Sequence, residues 1–161
     1  MPATSLPEDL CLSCGLCCDG SLFWAVPLGE GDTAPAPLDA DGYLRQPCPC
    51  FNGACTIYKD RPAGCRDFTC HLLDAVAAGQ RDRDWALARI AEMRETLAAL
   101  DAALPGGDPS LYRRAAEFLA EQDAAPEDMA LQDRDADVRM AISAYEAGLT
   151  GFRTLGEEQA D

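Results

Sequence analysis

The chain has one lysine, Lys59, one histidine, His71, and no cysteine beyond Cys70 of its 161 residues. Lysine and arginine together number 13 against 28 acidic residues, a net charge of −15. A surface this acidic repels phosphate backbones, and the arginines are dispersed among carboxylates, so nucleic acid is not an expected partner. The charge itself suits a solvated surface. No apolar run approaches the roughly 18 residues of a membrane span, and "MPATSLPEDL" has neither the basic start nor the apolar stretch of a signal peptide. The expectation is a cytoplasmic protein with no membrane association. A single histidine, with no nucleophile tied to it in sequence, offers no hydrolytic constellation. Abundant Asp and Glu do not by themselves make a site.

What is present is sulfur. Nine cysteines lie at positions 11, 14, 17, 18, 48, 50, 55, 65 and 70, four of them in "CLSCGLCC". In a reducing compartment thiols persist as ligands or redox groups rather than as a disulfide framework, and the odd number disfavours complete pairing. Cys11–Cys14 and Cys14–Cys17 are overlapping C-x2-C units with Gly15 in the turn. Such spacing lets the chain wrap a metal with sulfur about 2.3 Å away. Thiolates closed around a divalent ion crosslink a segment short of apolar residues. Adjacent side chains diverge in extended chain, so Cys17 and Cys18 either serve different metals or one of them bridges two.

The second block is "CPCFNGACTIYKDRPAGCRDFTC", Cys48 to Cys70. Cys50–Cys55 and Cys65–Cys70 are hairpin-sized pairs, with Pro62-Ala63-Gly64 as a turn before Cys65. Arg61 and Arg66 flank that turn. Each either offsets thiolate charge and donates to sulfur, or pairs with Asp60 and Asp67 at the surface. His71 is read as a surface residue at a helix start.

The fold class expected is small α+β. A loop-rich cysteine cluster with short strands, residues 1–80, is followed by a helical extension packed on it, 81–155, and an acidic tail, 156–161. Strands are predicted within Ser21–Leu28 and Cys55–Tyr58, with a turn-rich or mobile insertion over 29–42. A helix leaves Cys70 and ends at Gly79. From Asp84, Ala86, Ile90, Met93, Leu97, Leu100 and Leu104 recur at helical spacing until Pro105-Gly106-Gly107. A further helix is predicted to start with Asp108 as cap and Pro109 first, running to about Gln122. Another, near Asp135 to Gly148, puts Val138, Ile142, Tyr145 and Leu149 on one side. These stripes are core faces.

The string "CLSCGLCC", then "CPCF", "CTIY" and "RPAGCRDFTC", resembles the YkgJ-type cysteine-cluster family, a zinc- or iron-chelating domain. The likeness covers residues 11 to 70 and not the helical remainder. It implies that Cys11, Cys14, Cys17, Cys18, Cys48, Cys55, Cys65 and Cys70 are the ligands, dividing into two four-sulfur sites. Pro49, Phe51, Tyr58, Arg61, Pro62, Arg66 and Phe68 accompany them. Cys50 falls at a variable position of the pattern and is the dispensable thiol. A related domain occurs in flagellin lysine methylases, but no glycine-rich cofactor loop here supports methyl transfer.

Zinc fits C-x2-C pairs in a reducing compartment. An iron–sulfur cluster is the alternative, because Cys11, Cys14 and Cys17 form the C-x2-C-x2-C run of ferredoxins, with Cys48-Pro49 as a distant Cys-Pro. A multi-zinc cluster sharing all nine thiolates is a third arrangement. The expected role is a non-enzymatic, metal-stabilised module that binds a protein or small molecule. Redox or electron transfer, or metal handling, are the other readings.

Overall fold

The computed structural model describes residues 6–124 and 135–153. Among the described residues six helices and a two-stranded antiparallel sheet make it α+β, with both strands in the amino-terminal half. The helices are α1 (Leu6–Cys14), α2 (Ala63–Asp67), α3 (His71–Ala77), α4 (Arg83–Ala103), α5 (Leu111–Ala124) and α6 (Ala136–Leu149). The strands are β1 (Ala25–Pro27) and β2 (Tyr43–Arg45). The tail at 156–161 lies outside the described residues.

The helical stripe over 86–104 is the spine of the molecule. Ala86, Ile90, Met93, Leu97 and Leu100 are buried on α4, with Leu104 just past its end. The helix opens one residue before the predicted start, because Asp82 accepts a hydrogen bond from the Trp85 amide at 2.8 Å. Helix α6 packs along it through Ile142, Tyr145 and Leu149. The Met93 side chain packs against Gly148, where a β-carbon would sit 2.8 Å from Met93 Sδ.

The sulfur-rich half has more apolar anchors than its composition suggests. Leu10, Leu16 and Leu22 are at most 2 % exposed and join α3, α4, α5 and α6 in one buried cluster. Side chains from both sides of residue 80 therefore share a core. Two arginines of α4 extend this join. Arg83 grips Asp9 of α1 at 2.8 Å, and Arg94 donates to the Ser13 and Cys14 carbonyls at 3.0 and 2.7 Å. A cation on those last carbonyls satisfies and stabilises the end of α1.

Several expectations are corrected. The strand predicted at Cys55–Tyr58 is absent. Phe51 and Cys55 form an isolated bridge across a tight turn, and Tyr58–Asp60 coil into a 3-10 turn closed by Asp60 N to Ile57 O at 2.8 Å. The true partner of β1 is β2, with Val26 opposite Leu44. Helix α5 starts at Leu111, not Pro109. Asp108 accepts from the Ser110 amide at 2.8 Å, and the Ser110 hydroxyl accepts from the Arg113 amide at 3.3 Å, so serine is the cap. Pro62-Ala63-Gly64 is the first turn of α2 rather than a free turn. The 29–42 insertion is anchored, since Asp32 accepts from the Gly29 and Ala63 amides, both at 2.8 Å. The predicted helix after Cys70 is α3, with Gly79 left-handed beyond its end.

Candidate metal centre

Three backbone devices gather the thiols. Cys11 and Cys14 lie three residues apart on α1 and so share a face. Gly15 then adopts φ +69°, a left-handed turn open to glycine at little cost, and sends the chain back with Cys17 and Cys18. The space is tight as well. A β-carbon on Gly15 would stand 2.7 Å from the Phe51 ring. Next, the Cys48 amide donates to the Cys18 carbonyl at 2.7 Å, pinning the second block to the first. Thr56 N to Cys50 O at 2.9 Å folds Cys55 back beside Cys48. Finally α2 presents Cys65, and Cys70 sits at the cap position of α3.

The outcome is a single cavity of about 310 Å³ lined by Cys11, Cys14, Cys17, Cys18, Cys48, Cys55, Cys65 and Cys70. Cys50 does not line it. Its thiol points to the Pro35 carbonyl at 3.9 Å, beside Cys48. All nine cysteines are free thiols.

Within the cavity the thiols interact in two sets. Cys14 feels Cys70 and Cys11, and Cys17 feels Cys14, Cys70, its neighbour Cys18 and Cys11. Cys18 instead feels Cys55, Cys48 and Cys65. The sets are thus Cys11, Cys14, Cys17, Cys70 and Cys18, Cys48, Cys55, Cys65, and they touch where Cys17 neighbours Cys18. The hairpin-sized pair Cys65–Cys70 is split between them. The thiol that joins the C-x2-C-x2-C run is Cys70, whereas Cys48-Pro49 belongs to the other set.

Burial favours the protonated form of seven of these sulfurs. It pushes Cys14 and Cys65 up to about 11, Cys18 up to about 12, and Cys17 far above the ordinary thiol range, with neighbouring sulfurs adding to the rise. Cys11, Cys48 and Cys70 are raised for the same leading reason. A buried thiolate needs a compensating cation. Positive charge nearby is sparse. Arg61 stacks on Tyr58, its carbon 3.7 Å from the ring centroid, and reaches the Cys11 thiol. Arg61 also lowers Cys65, so it serves both sets. Arg66 turns away, donating to the Arg61 carbonyl at 2.7 Å and lying 3.9 Å from Asp32. The two arginines therefore divide between the two roles considered from sequence, with Asp32 in place of Asp60 or Asp67.

Soft sulfur donors, eight in number, suit a thiophilic divalent ion in kind and count. Among the described residues no group of three or more Cys, His, Asp or Glu side chains is placed so that it could hold a metal ion as it stands. His71 is not part of the cavity. It is exposed, with Nδ1 3.0 Å from the Thr150 carbonyl. Arg94, Asp32 and Gly15 position the thiols from a distance, and only Gly15 was signalled by the motif.

Compared with family models, curated proteins and solved structures, the chain finds no match. Among the described residues no helix is long and apolar enough to cross a membrane.

Proposed function

We propose that this protein is a metal-chelating module of the YkgJ-type cysteine-cluster kind. Two ions, zinc in preference, would be bound by the eight cavity thiols. The observation that supports the reading is that eight thiols line one cavity, Cys17 beside Cys14, Cys70 and Cys11 and Cys18 beside Cys55, Cys48 and Cys65. The first ion would be held by Cys11, Cys14, Cys17 and Cys70, the second by Cys18, Cys48, Cys55 and Cys65. A bound divalent ion supplies charge that lets buried sulfur exist as thiolate and crosslinks three separate chain segments. The protein's own part is to aim the sulfurs and to offset the residual negative charge with Arg61. Reduced thiols support a cytoplasmic location, and a protein or small molecule is the proposed partner.

The test is metal analysis of protein purified without air. Cys17→Ser and Cys18→Ser are each expected to lose about half of the bound metal, as separate four-thiolate sites require. Together, the double variant should lose nearly all. If both single variants lose the same ion and keep the other, the two-site reading is wrong.

An iron–sulfur cluster is the second reading, favoured by one observation. Cys11, Cys14 and Cys17 are joined by the remote Cys70, a run-plus-distant-cysteine pattern that such clusters use. It requires broad visible absorption that bleaches on reduction. Colourless protein made with ample iron eliminates it.

A further inference from the structure

The cavity is more than a cage of sulfur. Its wall includes the apolar side chains of Phe23, Val26, Leu44 and Phe68, and at about 310 Å³ it reaches the lower end of small-molecule sites. Three polar groups on the wall, Gln46, Arg153 and Arg61, have a buried atom without a hydrogen-bond partner. Gln46 is 2 % exposed, and its Oε1 has no partner. Its backbone is fully engaged, the amide donating to Trp24 O at 2.9 Å and the carbonyl accepting from Arg113 at 2.6 Å. The residue is thus fixed through its backbone while its side-chain oxygen is left over, which buried amides rarely tolerate.

The second is Arg153. Its guanidinium is held near the rings of Phe23 and Tyr112, 5.3 and 5.6 Å from their centroids. Its Nε is buried without a partner, and it forms no ion pair among the described residues. A chain of net charge −15 has carboxylates to spare. An arginine without a carboxylate among the described residues, set beside aromatic rings and lining the cavity, has its terminal N–H donors to offer. Arg61 has the same orphaned Nε but is engaged by Cys11 and Tyr58.

We infer that the cavity binds a small apolar carboxylic acid, its carboxylate on the Arg153 guanidinium and a hydrogen-bond donor of its body on Gln46 Oε1. The apolar wall favours an aromatic or branched body over a bare hydrated anion. This goes beyond metal chelation and does not rest on it.

The test is calorimetric titration of the full chain as isolated. The probes are benzoate, phenylacetate and 4-hydroxybenzoate, their neutral alcohol counterparts, and inorganic phosphate. Carboxylates are expected to bind, with 4-hydroxybenzoate tightest because it carries a donor. Both Arg153→Gln and Arg153→Lys should weaken binding by about tenfold or more, since each removes the guanidinium. Arg153→Lys keeps the charge and guards against misfolding, and circular dichroism checks both variants. Binding that is absent for all three acids, equal for the alcohols, equal for phosphate, or unchanged in both folded variants overturns the proposal. Metal content measured on the same samples separates the two readings. Protein that takes up no metal yet binds the carboxylates sinks the chelation reading alone, and metal-loaded protein that ignores all three acids sinks this one alone.

Discussion

Residues 6–70 and residues 71–153 share one core, yet they are held by different physics. In the second region long apolar stripes meet each other. Leu100 is wholly buried, and α6 lies along α4. In the first, Leu10, Leu16 and Leu22 anchor the segment to α4, but the interior of the cavity is occupied by thiols that burial keeps neutral. Hydrophobic burial needs no particular partner, whereas buried thiols lining one cavity gain most when a cation ionises them. The comparison teaches that the leucines bring the front to the helices, and that the proposed metal would decide how firmly its loops are closed.

Metal removal breaks the comparison hardest. Structural zinc–thiolate sites contribute on the order of 10 kcal/mol. A strong chelator under reducing conditions should open residues 15–62 to protease while most helical circular dichroism remains. Unchanged protease resistance in metal-free protein would remove the basis of the metal reading. Leu100→Ala is the converse probe. It should cost about 2–5 kcal/mol in denaturant unfolding by leaving a cavity in the core, with metal stoichiometry unaltered.

Gly15→Ala tests the join between the regions. The left-handed φ and the contact with Phe51 should together cost about 1–3 kcal/mol. Because the turn aims Cys17 and Cys18, retained metal should fall as well, which Leu100→Ala does not predict. The smallest effect concerns Asp32. The Ala63 and Gly29 amides hold its carboxyl below the ordinary range, with Arg66 adding to this. A depressed folded value means that its stabilisation is complete above the unfolded pKa, near pH 4, and fades as acid carries the pH down through the folded value. Asp32→Asn should flatten that acid limb of a stability–pH curve. An unchanged limb would show that the anchor of α2 lies elsewhere.

The periodic elements were readable because apolar spacing alone specifies a helix face, and the stripes of α4 and α6 are buried as their periodicity required. Short elements were not. β2 is three residues whose pairing depends on a partner 18 positions away, and α2 is five residues capped from the 29–42 loop. The start of α5 was misread because Asp108, Pro109 and Ser110 all carry start signals. Ser110 is wholly buried, and its hydroxyl donates to the Gly20 carbonyl at 2.9 Å, a contact across 90 residues.

By itself the amino-acid order determined the thiol inventory, the acidic exterior and the helical stripes, since these follow from residue type and local spacing. Only the tertiary structure decided the company each sulfur keeps. Cys65 parts from Cys70, Cys70 joins the first motif, Arg61 turns to the thiols while Arg66 turns to Asp32, and Gln46 meets the cavity unpaired. The reason is that such proximities arise from chain reversals at Gly15 and from hydrogen bonds such as Cys48 to Cys18. Those depend on groups far apart in sequence, which local spacing does not encode.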